Sequence, residues 1–179
     1  MKKSMLFMAA LCCVFMIGVT FNACEKGNND PELHANSLDK MDPLLEWGAD
    51  YAAVQAHMDA KKWYKIGNDS LEYWKELKGW HRWYWVADSL TEQYLFETQD
   101  GKNLFCVECY CYDSKITFSD AQKYLTDKNY TLLFSRIDQN SNEPYEDYLS
   151  ADEKTRVRLN SYNNGNRWFF MFWRYVKPE

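Results

Sequence analysis

The sequence predicts an α+β protein of two tandem pseudo-repeats, each a short helix packed on an antiparallel sheet of three to four strands. Three observations predict it. Residues 51–65, YAAVQAHMDAKKWYK, and 118–132, FSDAQKYLTDKNYTL, carry one helical stripe at an offset of 67: Tyr51, Val54 and Met58 match Phe118, Ala121 and Leu125. Asp100-Gly101 and Asn164-Gly165, 64 apart, are hairpin dipeptides, because a type I′ turn needs positive φ at both central residues. Strand-like runs flank both turns: QYLFETQ and NLFCVECYCY around the first, RVRLNSYN and RWFFMFWRYV around the second.

Before the body comes an address. Lys2 and Lys3 precede an apolar stretch from Met5 to about Phe21, the charged and apolar regions of a secretory signal. Ala23-Cys24 closes the stretch, and polar Glu25-Lys26-Gly27-Asn28-Asn29-Asp30 follows. A small residue before Cys resembles the lipobox of bacterial lipoproteins, in its relaxed Bacteroidota-type form, since Phe21 and Asn22 depart from the strict pattern. The resemblance implies removal of residues 1–23, acylation of Cys24 (a palmitate-type lipid) and anchoring in the outer membrane. Ordinary secretion after Ala23 and a retained anchor helix are the alternatives. Residues 24–40 then form the lipidated cysteine and a polar, aperiodic tether. Glu25, Asp30 and Glu32 lie scattered along it, which leaves surface display open.

The body divides into repeat 1, residues 41–113, and repeat 2, residues 114–179. Asp50 caps the first helix. Thr117 with Asp120, or Ser119 with Gln122, boxes the second. LEYWKELKGWHRWYWVAD fills the region between helix and hairpin in the first repeat, and EPYEDYLSADE in the second. Identities are few, so a duplication and two ordinary αβ segments both fit. Two such units in tandem resemble the architecture of beta-lactamase inhibitory proteins, in topology alone, and topology carries no function. Glu46-Trp47-Gly48-Ala49, opening the first helix, resembles a stretch in Bacteroidota-type lipoproteins that brings no known activity.

Composition narrows the function. The chain has 26 acidic and 21 basic side chains, a net charge of -5, and losing Lys2 and Lys3 makes it more acidic. A nucleic-acid partner is therefore not expected. Aromatics at 17% rule against a disordered body. No G-x-S-x-G, H-E-x-x-H or phosphate-cradling glycine loop is present, and no triad or carboxylate pair suggests itself. Glu143, Glu146 and Asp147 cluster around Pro144, which reads as a solvated loop. Of the histidines, His34 is in the tether, His57 is on a half-exposed helix position and His81 is in a strand. The expectation is a protein that is not an enzyme and uses neither cofactor nor metal.

Cysteines supply the one alternative chemistry. Cys12 and Cys13 leave with the signal, which leaves Cys106, Cys109 and Cys111 in the body. On a strand, Cys106 points opposite to Cys109 and Cys111, so all three read as small buried hydrophobes. A redox role, or a zinc site completed by His81, is the alternative.

The aromatics stand out. Trp80-His81-Arg82-Trp83-Tyr84-Trp85 and Trp168-Phe169-Phe170-Met171-Phe172-Trp173 load both faces of their strands. Either two sheets bury each other, or an aromatic face stays open for a partner. The expected ligand-binding residues are Trp83, Tyr84, Trp85, Trp168, Phe170 and Phe172, with Arg82 and Arg174 as polar flanks. The expected function is a non-catalytic binding module at the cell envelope, held by the membrane through its lipid. An envelope or surface protein is the favoured partner, and a glycan is the alternative.

Overall fold

The computed structural model describes residues 37–61, 64–66, 70–86, 89–162 and 167–178. The signal segment, Cys24, most of the tether and Asn164-Gly165 lie outside the described residues.

A 3-10 turn, Ser37–Lys40, opens the described chain, and its Leu38 and the following Met41 are buried. Helix α1, Tyr51–Asp59, starts where Asp50 is extended and its carboxylate accepts the Ala53 N–H at 2.9 Å. Helix α2, Phe118–Asp127, starts at Thr117, which forms a full capping box with Asp120. Val54 and Met58 of α1, and Ala121 and Leu125 of α2, are fully buried, as the stripes require.

The strands are β1 (Tyr64–Ile66), β2 (Glu72–Trp74), β3 (Gly79–Val86), β4 (Leu90–Phe96) and β5 (Leu104–Cys111), then β6 (Thr131–Ile137), β7 (Pro144–Leu149), β8 (Thr155–Tyr162) and β9 (Arg167–Arg174). They form one nine-stranded sheet in the order β1-β3-β4-β5-β9-β8-β7-β6, with β2 also on β3. Every pairing is antiparallel. β1 pairs with Tyr84–Val86 and β2 with Gly79–His81, so the two short strands share one edge of β3.

Separate sheets were the expectation, and one continuous sheet is the finding. The cause lies at the middle. β5 and β9 each end a run of strands, and left apart each would expose a row of unpaired backbone groups. Instead they pair with each other, from Cys106 opposite Trp173 to Cys111 opposite Trp168. That pairing places the most apolar strands at the centre, where both flanks are covered.

The helices lie on the same face. α1 reaches β3 and β4 through Gln55, which accepts from Tyr84 at 3.3 Å, and through Met58, whose sulfur lies 3.7 Å from the Tyr94 hydroxyl. α2 reaches β7 and β9 through Gln122 on Glu146 and Tyr124 on Phe170. Between helices and sheet lie Tyr84, Tyr94, Val107, Cys109, Val157, Leu159, Phe170 and Phe172 in one core.

The first hairpin is wider than a two-residue turn. Gly101 and Asn103 are left-handed, at φ 73° and 60°. The loop docks on the start of α1, where Tyr51 N–H donates to Gly101 at 2.6 Å. A Cβ on Gly101 would sit 2.5 Å from Tyr51 Cβ, so glycine is required. Trp47 ties the same region to β8, its indole N–H donating to Thr155 Oγ1 at 3.0 Å. Gly48, left-handed at φ 90°, donates its N–H to Leu104 at 2.9 Å. The Glu46–Ala49 stretch is therefore the turn that fastens α1 to the sheet.

Candidate functional site

Cross-strand register assigns each strand residue to a face. The row Tyr84, Glu92, Cys109, Phe170, Leu159 and Glu146 runs under the helices. The alternate row, Trp83, Gln93, Glu108, Met171, Arg158 and Asp147, runs on the other face. Neither described helix covers that second face.

This placement corrects the expected ligand-binding set. Tyr84, Trp168, Phe170 and Phe172 are at most 2% exposed beneath the helices. Trp168 donates its indole N–H to Ile116 at 3.0 Å inside that core. Arg82 shares the helix side, is 6% exposed and stacks over Tyr51 at 4.8 Å. Arg174 is exposed at the end of β9, opposite Thr155, and lines a cleft of about 610 Å³ with Trp47, Asp152 and Lys154. Trp83 alone of the set is described on the helix-free face, half-buried. Trp85 belongs to β3, and its side chain lies outside the described residues.

The residues that do share Trp83's face are different ones. Tyr110, Phe169, Met171 and Trp173 are half-buried at its centre, and Tyr145 and Phe134 extend it toward β6. Tyr110 stacks on Phe169 with centroids 5.0 Å apart and planes 16° apart. Arg158 lies over Tyr145 at 4.6 Å and over Trp173 at 5.7 Å. Arg156 lies over Trp173 and Phe134, both at 5.6 Å. Tyr110, Phe169, Tyr145, Phe134 and Trp173 thus each have a ring face against another ring or a guanidinium group.

Two polar groups sit within this surface. Glu108 is 1% exposed and accepts the Tyr110 hydroxyl at 2.8 Å. Burial pushes its carboxyl up to about 7, against the stabilising Tyr110 bond. Beside it, opposite in register, Gln93 is fully buried with neither amide atom hydrogen-bonded among the described residues. Further along, fully buried Asp147 accepts from Arg156 and from Arg158, the latter through Nε at 2.7 Å and Nη2 at 3.1 Å. One carboxylate thus serves two guanidiniums, and Asp138 adds a second negative charge within reach of Arg158.

Glu146 and Asp147 were expected in a solvated loop. They stand in β7, buried on opposite faces. Pro144 misleads because it is the first residue of the strand, a position proline tolerates. Glu146 accepts from Gln122 and, at 2.5 Å, from Tyr148. Glu92, fully buried under α1, likewise accepts from Tyr94 at 2.8 Å and pairs with Lys61 at 3.3 Å. Lys61 also donates to the Asp42 carbonyl, which holds the segment before α1 against β4. The repeated signal is Glu-x-Tyr, at 92, 108 and 146, a spacing that puts acid and phenol on one face of a strand.

The cysteines divide as their spacing required. Cys106 faces the helix-free side, and Cys109 and Cys111 face the core. All three are free thiols and buried, and burial pushes each thiol up. His81 is on the Cys106 side, with Leu95 between them in register. The zinc set weighed as an alternative is therefore split by the sheet, and no group of three or more candidate ligands occurs among the described residues.

Comparison with known proteins returns no match: no protein-family model, curated protein or solved structure matches the chain.

Proposed function

We propose that the chain is an exported lipoprotein, anchored at Cys24, whose body is a non-catalytic protein-binding module at the cell envelope. The helix-free face of the sheet is its binding surface. One observation carries this reading: that face holds half-buried aromatic residues around Trp83, Tyr110, Phe169 and Trp173, with Arg156 and Arg158 set among them on a shared carboxylate. Aromatic and arginine side chains dominate protein-binding hot spots. A sugar platform needs free ring faces, and here Tyr110, Tyr145 and Trp173 each have a face against another ring or a guanidinium. That favours a protein partner over a glycan. We further propose that the helix-and-strand halves are copies of one unit. Support comes from both helices landing on one face and from both halves ending at the central seam. A superposition that failed to bring α1 and β3–β5 onto α2 and β7–β9 would refute the duplication.

The test is photo-crosslinking in intact cells from residue 83 or 173, with core residue 170 as control. A discrete protein adduct from 83 or 173, absent from 170, is expected. Absence of any adduct, while hydroxyl-radical footprinting labels Trp83 and Trp173 readily, would remove the reading.

A further inference from the structure

The sheet ends on an open strand. β6 pairs with β7 alone among the described strands. Leu132, Leu133 and Ile137 are 49%, 45% and 63% exposed along it. Proteins blunt such edges with lysine, proline or very short strands, because unpaired N–H and C=O groups template association. β6 is seven residues long and has neither lysine nor proline, its one interruption being a bulge between Leu132 and Phe134. The opposite edge is blunted: β1 and β2 have three residues each.

We propose that β6 is a strand-addition site for a partner protein, which supplies an extended segment of alternating acidic and apolar residues. The alternation follows from the two sides of β6. Leu132, Ser135 and Ile137 stand opposite Tyr148, Glu146 and Pro144, on the helix side. Phe134 and Arg136 stand opposite Asp147 and Tyr145, on the helix-free side. Past the bulge between Leu132 and Phe134, an added strand therefore meets exposed Ile137 with one set of alternate residues and Arg136 with the other. Arg136 is exposed and stacks on Phe134 at 4.7 Å, and it makes no ion pair among the described residues. Arg156 and Arg158 share Asp147 close by. Asp147 and Asp138 offset Arg156 and Arg158, so Arg136 is the cation at this edge without an ion pair among the described residues. An acidic strand neutralises that charge, whereas a second copy would bring two such edges together. The proposal rests on the reading of the chain as a protein-binding module, and it adds how the partner engages.

The test uses the full chain and a capped peptide of alternating glutamate and valine that matches β6 in length, with a lysine–valine peptide as control. The glutamate–valine peptide should slow amide hydrogen exchange in residues 131–137 by about tenfold or more. Arg136→Glu should weaken that peptide about tenfold and make the lysine–valine peptide the better binder. Leu132→Lys with Ile137→Lys should abolish protection, and the exposed positions of all three leave the fold intact. Four outcomes would each overturn the proposal. They are no protection of 131–137, equal protection by both peptides, insensitivity to Arg136→Glu, and concentration-dependent protection without peptide in a sedimenting dimer. The crosslinking result from residues 83 and 173 stands apart from all of these, so failure at β6 and failure of the wider reading are distinguishable.

Discussion

Glu108 shows how a single side chain can be invisible in a sequence and prominent in a structure. It sits in Cys106-Val107-Glu108-Cys109, where the cysteines draw notice and the glutamate looks like the polar half of an alternating strand. Register shows the reverse, a carboxyl 1% exposed between Gln93 and Met171. Its carboxyl is raised from 4.5 to about 7 by burial. The folded state therefore holds the proton more tightly than the unfolded chain. Stability is fully present below about pH 4.5 and is lost as pH rises through 7, by about 3 kcal/mol in all. His81, on the same face, acts in the opposite sense: burial lowers its pKa, so its contribution is lost as pH falls. Urea unfolding across this range should show Glu108→Gln more stable than wild type at pH 8 and the two nearly equal at pH 4. Parallel curves at all pH values would mean that Glu108 ionises freely. The same limit explains the misplaced aromatic set. Trp168, Phe170 and Phe172 are no more apolar than Phe169, Met171 and Trp173, so composition does not choose between them. The choice is made across strands: Phe172 lies between Val107 and Val157, while Trp173 lies between Cys106 and Arg156.

Secondary structure was more legible, because its signals are local. Asp50 and Thr117 announce both helix starts within three residues of the groups they cap. The stripes at Val54–Met58 and Ala121–Leu125 pick out the buried helix positions. Met58→Ala and Leu125→Ala should each destabilise by roughly 2–5 kcal/mol in chemical denaturation. Costs below about 0.5 kcal/mol at both would show that the helices are not anchored on the sheet. Strand β7 escaped because Pro144 and three acids resemble a turn, and its burial depends on Gln122, Arg156 and Arg158 from other elements. The width of the first hairpin escaped for a similar reason. Asp100-Gly101 signals a turn, but its docking on Tyr51 is a long-range contact.

On the scale of the whole molecule, the α+β class followed from alternating helical and strand periodicities, while the single sheet did not. Joining β5 to β9 is a decision about which edges meet, and no local pattern encodes it. The proposed anchor belongs to this scale too, since acylation of Cys24 would fix where the body is displayed. Cys24→Ser should leave the protein out of membrane fractions or stall its processing, as read by fractionation and by intact mass. Unchanged membrane retention with normal processing would refute lipidation.

The seam at the sheet centre also sets an order of events in time. β5 is complete when residue 111 has been made, yet its second partner, β9, is the last strand of the chain. Until β9 arrives, the first half carries a long, apolar, unpaired edge, Leu104–Cys111, of the kind that aggregates. Contacts of such separation in sequence form slowly, because loop closure comes before its reward. A chain that crosses a membrane unfolded, and folds only once its last strand is through, never presents that edge alone for long. Late, whole-chain folding is the safer route for a sheet stitched together by its final strand.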